Sequence, residues 1–326
     1  MKLSIPTIPT LLSLGALLSV STSSSSASTE VKSMIRRNAK AEKDDSDSTE
    51  PEVAGIVNGK PTGKALPYQV ALSRGPDYRP ECSGSLIAPR VVLTAASCVI
   101  HDNIWTVKLN MYNAYDPYDV RYVNNEPGLT IINLVSRNDI IIHPEYKRSK
   151  AFAGDIALVI LPVGVEEGEY IKYAKLNEDH NVPSEAGERL FVSGWGRTVP
   201  WDRRSDSDVL VGTELKYVPA KECAEIFDCG DDECGDEWWC QCDVMEEYFN
   251  TPAMCARKLF TDVCDGDGGG PLVLASETES EPPLQVGIVS IILTDCYSEF
   301  PNSFTRVSTY VDWIRSESCE AVGQLC

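Results

Sequence analysis

Twelve cysteines are distributed along this chain, an even number, and no two of them form a C-x-x-C pair. That pattern favours disulfides made in an oxidising compartment. A chain of 326 residues has room for one large all-β domain with an N-terminal extension, or for two small domains. The N-terminus agrees with export. Lys2 precedes the apolar run Leu11-Leu12-Ser13-Leu14-Gly15-Ala16-Leu17-Leu18, and small residues follow to Ala27. Residues 1–28 therefore read as a signal peptide, too short to span a bilayer. Residues 29–55, with Arg36-Arg37 and the acidic run Asp44-Asp45-Ser46-Asp47, carry too little apolar surface to order themselves. They read as a disordered propeptide or linker.

The net charge of −20 argues against nucleic acid as a partner, because phosphate binding needs a basic face. No later segment is long and apolar enough to be a membrane span, so no membrane role is expected. Short alternating stretches with β-branched residues, broken by Gly and Pro, run from Tyr68 to Cys98 and through residues 104–142, and read as strands. Val307, Tyr310, Val311 and Ile314 repeat at i, i+3, i+4, i+7, the stripe of an amphipathic helix near the C-terminus.

Ordered motifs punctuate this pattern. They are Ile56-Val57-Asn58-Gly59, the pair Cys82-Ser83-Gly84-Ser85-Leu86-Ile87 and Val92-Leu93-Thr94-Ala95-Ala96-Ser97-Cys98, then Asp155-Ile156-Ala157-Leu158 and Val192-Ser193-Gly194-Trp195-Gly196. Asp262-Val263-Cys264-Asp265-Gly266-Asp267-Gly268-Gly269-Gly270-Pro271 follows, and Gly287-Ile288-Val289-Ser290 leads to the terminal helix. Together they resemble the trypsin-like (chymotrypsin-fold) serine proteases over about residues 56–315. The resemblance implies an all-β fold of two six-stranded antiparallel β-barrels with a C-terminal helix, a domain over 56–318 and a tail over 319–326.

The same resemblance assigns positions, and two of them depart from the family pattern. Gly268 stands where the family has its nucleophilic serine, and Ser97 where it has the general-base histidine. A glycine offers no atom to attack a carbonyl, and a serine hydroxyl titrates far too high to serve as a base near neutral pH. Asp155 matches the carboxylate that orients the histidine; Ser97 or Ser290 could satisfy it instead. Among the three histidines, His101 lies one turn after Ser97 but would need accurate placement to substitute, while His143 and His180 read as structural and solvated. Gly266 and Gly268 take the oxyanion-hole positions. Ile56 and Asp267 match the pair that forms when the family is activated by cleavage, although Gly55 precedes Ile56 where a trypsin-like activator would want Lys or Arg. Asp262 matches the base of the specificity pocket, with Ile292 and Asn302 at positions the family keeps open; the expectation is that they wall Asp262 off in part and that Asn302 or a water satisfies it.

Implied disulfides are Cys82–Cys98, Cys223–Cys255 and Cys264–Cys296, with Cys319–Cys326 left as a tail clasp. Residues 224–250 form an acidic insertion whose Cys240 and Cys242 are too close in sequence to pair readily, so each is expected to pair with Cys229 or Cys234 in either order. The spacing lacks zinc knuckles and no EF-hand register fits the acidic run, so no metal and no cofactor are expected. Trp238 and Trp239 within the insertion are candidate interface anchors, or simply the packing of a small disulfide core. The functional expectation is a secreted, catalytically dead homologue that acts by binding an extracellular protein, as inhibitor, decoy or regulator of a hydrolase or protease. The alternative is an active serine endopeptidase, which the fold by itself would suggest.

Overall fold

A computed structural model describes residues 56–326 apart from 102–103, 105, 115–127, 135, 147–152, 200, 203, 228–241, 276–281, 291–295 and 297–299. The expected signal peptide and propeptide, residues 1–55, lie outside the described residues, as do Trp238, Trp239, Ile292 and three of the insertion cysteines. Two β-sheets carry the described chain. The first strand, β1 (Lys60–Pro61), is followed by seven that form one sheet: β2 (Gln69–Ser73), β3 (Cys82–Ala88), β4 (Val91–Thr94), β5 (Thr106–Leu109), β6 (Thr130–Asn133), β7 (Ile140–Ile142) and β8 (Ala157–Ile160). They pair antiparallel in the order β6-β5-β2-β3-β4-β8-β7. Strands β2, β4, β5 and β8 bury every residue, as expected where apolar side chains line one core and the opposite face is covered too.

The second sheet contains β9 (Lys175–Leu176), β10 (Arg189–Gly194), β11 (Val211–Val218), β12 (Ala253–Arg257), β13 (Pro271–Leu274), β14 (Leu284–Val289) and β15 (Asn302–Arg306), with β1 on its edge. Six of these close a ring, β11-β10-β13-β14-β15-β12, because β12 also pairs with β11. In β11 Glu214 and Lys216 are exposed while their neighbours are buried, the period-two signature of a barrel wall.

The first sheet is the half-barrel that stands beside the closed one in the expected two-barrel fold. Its two edges, β6 and β7, are consecutive in the chain, and a short turn at Arg137–Asp139 separates them. Ser136 caps that turn: its hydroxyl accepts the Asn138 N–H, and the Asp139 carboxylate accepts the Ser136 N–H at 2.8 Å. The local hydrogen bonds divide what would be one strand into two short ones, and among the described residues no ladder joins them.

Four helices complete the described chain: α1 (Ala96–Val99), α2 (Ala220–Ile226), α3 (Cys242–Asn250) and α4 (Val307–Val322). The helix α4 buries Val307, Tyr310, Val311 and Ile314, the predicted stripe, against β8, β9 and β14, and ends at Gly323, whose φ of 65° lets its N–H turn back to the Cys319 carbonyl. Helices α2 and α3, at the two ends of the acidic insertion, pack Phe249, Met245 and the Cys223–Cys255 bridge into a small separate core. Among the described residues no helix is long and apolar enough to cross a membrane.

Candidate functional site

The loop between Cys264 and Pro271 is pinned between the two sheets. The Gly268 carbonyl accepts the N–H of Ser83 on β3 at 2.7 Å, and the Gly269 N–H donates to Val289 at the end of β14 at 2.8 Å. The turn itself closes through Asp267 N–H to the Cys264 carbonyl at 2.9 Å and Gly270 N–H to the Asp267 carbonyl at 3.0 Å. Two of its glycines are dictated by geometry. Gly266 has a φ of 99°, and a Cβ there would sit 2.7 Å from Gly196 Cα; Gly269 has a φ of 78°, and a Cβ there would sit 2.2 Å from Thr94 Oγ1. Gly268 is different: its Cβ position lies at ordinary contact distance, 3.4 Å from Cys98 Sγ and 3.7 Å from Cys82 Sγ. Among the described residues, the N–H groups of Gly266 and Gly268 have no acceptor.

Asp155 enters the site just before β8 and is fully buried. Its Oδ1 accepts the Ser97 N–H at 2.7 Å, and its Oδ2 accepts the hydroxyls of Ser97 at 3.1 Å and Ser290 at 2.6 Å. Burial raises the pKa of this carboxyl, and the bonds from Ser290 and Ser97 act against the shift. The Thr305 hydroxyl adds a bond to the Asp155 carbonyl, 2.9 Å, and the Gly154 N–H donates to the Tyr310 hydroxyl at 3.0 Å, so β15 and α4 hold the segment from below.

The third constellation surrounds Asp262, which is 4% exposed. The Asn302 amide donates to Asp262 Oδ1 at 3.3 Å while its own oxygen accepts the Val263 N–H at 3.0 Å. Asn302 is thus one hydrogen-bond partner of the Asp262 carboxylate, and Ile292 lies outside the described residues.

A model of the Trypsin family matches residues 56–314. The chain belongs to the trypsin family. Among the curated relatives, the serine protease Hayan of Drosophila melanogaster is 34% identical over 237 residues, covering 72% of this chain and 34% of that protein. Venom serine protease 34 of Apis mellifera is 29% identical over 270 residues, 82% of this chain and 59% of the relative, and the venom protease of Bombus pensylvanicus is 30% identical over 266 residues, 79% and 96%. The chain therefore spans about a third of the fly relative's length and well over half of the Apis protein's.

Set in a trypsin-family fold, the positions expected to act together are brought together around the two sheets. Ser97, from α1, faces Asp155; Ser290, at the end of β14, faces the same carboxylate; Gly268 stands beside the Cys82–Cys98 bridge. Among the described residues Ser97 and Ser290 donate to the Asp155 carboxylate. His101 is exposed; His143 is buried against Tyr310 and Trp313 with ring centroids 5.0 and 4.8 Å apart, and burial lowers its pKa. His180 is exposed, with Nδ1 at 3.4 Å from the Ser308 hydroxyl.

Ile56 is fully buried in the core of the second sheet, and Asp267 is fully buried beneath the loop. Asp267 accepts two backbone N–H groups, from Gly196 at 2.8 Å and Cys264 at 2.9 Å. Burial pushes its carboxyl up to about 7, with the charges of Asp206 and Asp265 adding to the shift. Bridges join Cys82 to Cys98, Cys223 to Cys255, Cys264 to Cys296 and Cys319 to Cys326. The pairing of Cys229, Cys234, Cys240 and Cys242 lies outside the described residues. Among the described residues no group of His, Cys, Asp and Glu is gathered as a metal site.

Two features of the site had no reading in the sequence. One is the closeness of the Gly268 side-chain position to both sulfurs of the first bridge. The other is the buried polar seam where Gln69 and Ser193 meet across the sheets, Ser193 Oγ to Gln69 Oε1 at 2.9 Å, continued by Ser85 Oγ to Gln285 Oε1 at 2.6 Å. Only the unusual polar residues within otherwise apolar strands signalled that seam.

Proposed function

We propose that this trypsin-family chain is a secreted pseudoprotease that works by binding an extracellular protein, as an inhibitor, decoy or regulator of a hydrolase or protease. The observation that carries the reading is the state of Asp155. Its two oxygens are already engaged by Ser97 and Ser290, and Gly268, beside the Cys82–Cys98 bridge, carries no side chain. Without nucleophile and base, serine proteases keep only ~10³–10⁴-fold catalysis over water, from binding and the oxyanion donors. Asn302 on Asp262 lowers the binding part as well. Disulfides in the fold and the venom proteases among the relatives support an extracellular site of action. Within the insertion, Trp238 and Trp239 are the proposed anchors for the partner.

The relatives' names favour the alternative, an active serine endopeptidase, and one experiment separates the two. Purified chain is treated with a fluorophosphonate probe and with peptide substrates, beside the Gly268→Ser, Ser97→His and doubly substituted forms. The expected result is no labelling of the natural chain or of either single variant, and labelling of the double variant, because triad members act as a unit. Labelling of the natural chain free of contaminating protease refutes the proposal. For the binding role, a partner captured from extracellular fluid should be lost when Trp238 and Trp239 are changed to Ala.

A further inference from the structure

The first bridge of the fold borders the position where family members carry their nucleophilic serine and this chain carries Gly268. A Cβ on Gly268 would touch both sulfurs, Cys98 Sγ at 3.4 Å and Cys82 Sγ at 3.7 Å, so the volume left empty by this glycine borders the disulfide directly. Gly268 is itself half-buried, not sealed. The neighbour of Cys98 on its other side, Ser97, is also half-buried, small, and turned by its hydroxyl toward Asp155. Cys82, the first residue of β3, retains partial exposure, and Cys98 is 7% exposed. The contrast with the Cys223–Cys255 and Cys264–Cys296 bridges lies in Cys82, because Cys223, Cys255 and Cys264 are 0% exposed and Cys296 4%, close to the 7% of Cys98.

We infer that the Cys82–Cys98 disulfide is a thiol-exchange site, opened by the missing side chain at Gly268, whose reactant is a low-molecular-weight thiol. The exchange balances in two steps. The thiolate of the small thiol attacks Cys82 Sγ and forms a mixed disulfide; the Cys82–Cys98 bond breaks, and its electron pair leaves on Cys98 Sγ, which takes a proton from solvent. A second small thiol attacks the mixed disulfide, releases the Cys82 thiol and departs as the oxidised dimer of the small thiol. Two thiols are oxidised and one protein disulfide is reduced. The bridge ties β3 to α1, the helix that presents Ser97 to Asp155, so its opening loosens the element that occupies the histidine position. The inference does not depend on the binding role proposed above.

The probe is cysteamine, whose ammonium group is not repelled by a chain of net charge −20. The folded full chain is exposed to it for timed intervals, quenched with an alkylating reagent, and read by peptide mass spectrometry bridge by bridge. The Cys82–Cys98 bridge should open on the order of tenfold faster than Cys223–Cys255 and Cys264–Cys296, as access controls exchange. Gly268→Ala, which places a methyl group over the sulfurs without strain, should slow Cys82–Cys98 several-fold and leave the exposed Cys319–Cys326 clasp unchanged. Equal rates in the natural chain and a folded Gly268→Ala variant overturn the inference. So does a Cys82–Cys98 bridge no faster than Cys223–Cys255 and Cys264–Cys296 in the natural chain, a comparison that stands even where the variant fails to fold.

Discussion

Replacing Asp267 by Asn should remove a pH-dependent loss of stability from the chain in which residue 55 is still joined to Ile56. The carboxyl is closely packed and fully buried: Cβ atoms built on Gly194 and Gly196 would fall 2.1 Å and 2.6 Å from its oxygens. Two backbone N–H groups are its hydrogen-bond partners, and no cation pairs with it among the described residues. Burial, reinforced by Asp206 and Asp265, lifts it from an ordinary 3.8 to about 7. Over that window the native state keeps a proton that the unfolded chain has released. Stability therefore falls as pH rises from about 4 to about 7 and is level above, with about 4 kcal/mol at stake at ~1.4 kcal/mol per pH unit. Asn stays neutral throughout. Urea unfolding of both proteins across the window measures the difference, which should swing by several kcal/mol toward the variant as pH rises. A difference curve that stays flat refutes the claim that this carboxylate lacks a compensating charge.

Two further substitutions probe the site from other sides. Asn302→Gly removes the amide that bonds Asp262 and should bring benzamidine affinity up by about tenfold to a hundredfold, the worth of a hydrogen bond to a charged group, in a fluorescence competition assay; unchanged affinity refutes the role given to Asn302. Gly269→Ala forces a Cβ to 2.2 Å from Thr94 Oγ1 at a φ of 78° and should cost more than about 3 kcal/mol in chemical denaturation, whereas Gly268→Ala should cost under about 1 kcal/mol; similar losses at both positions refute the steric reading of the loop.

Much of this was legible in the sequence because a few backbone shapes admit few residues. The run from Asp265 to Pro271 needs glycine at 266 and 269 for its turn, so its pattern survives as text even with Gly268 in place of a serine. The helix α4 was legible for a different reason: its apolar stripe at Val307, Tyr310, Val311 and Ile314 is a local period that packing then uses. Strand edges were not legible. The division of β6 from β7 rests on the Ser136 cap competing with a ladder that only the tertiary fold offers, and the exposure of Cys82 depends on what Gly268 and Ser97 leave uncovered across the cleft. Neither is a property of a short window of residues.

Asp155 shows how a site position can persist without testifying to chemistry. Removing its carboxylate would take the acceptor from the Ser97 N–H and two part-buried hydroxyls, at up to about 1–3 kcal/mol for any of them left unsatisfied, so the fold itself favours the aspartate. Gly268 is under no such demand. Its φ lies outside the left-handed region and a Cβ would meet only sulfur atoms at van der Waals distance, so the packing that compels glycine at 266 and 269 would admit serine here. A residue the scaffold does not impose is the one whose identity bears on activity, and at position 268 that residue is the one without a side chain.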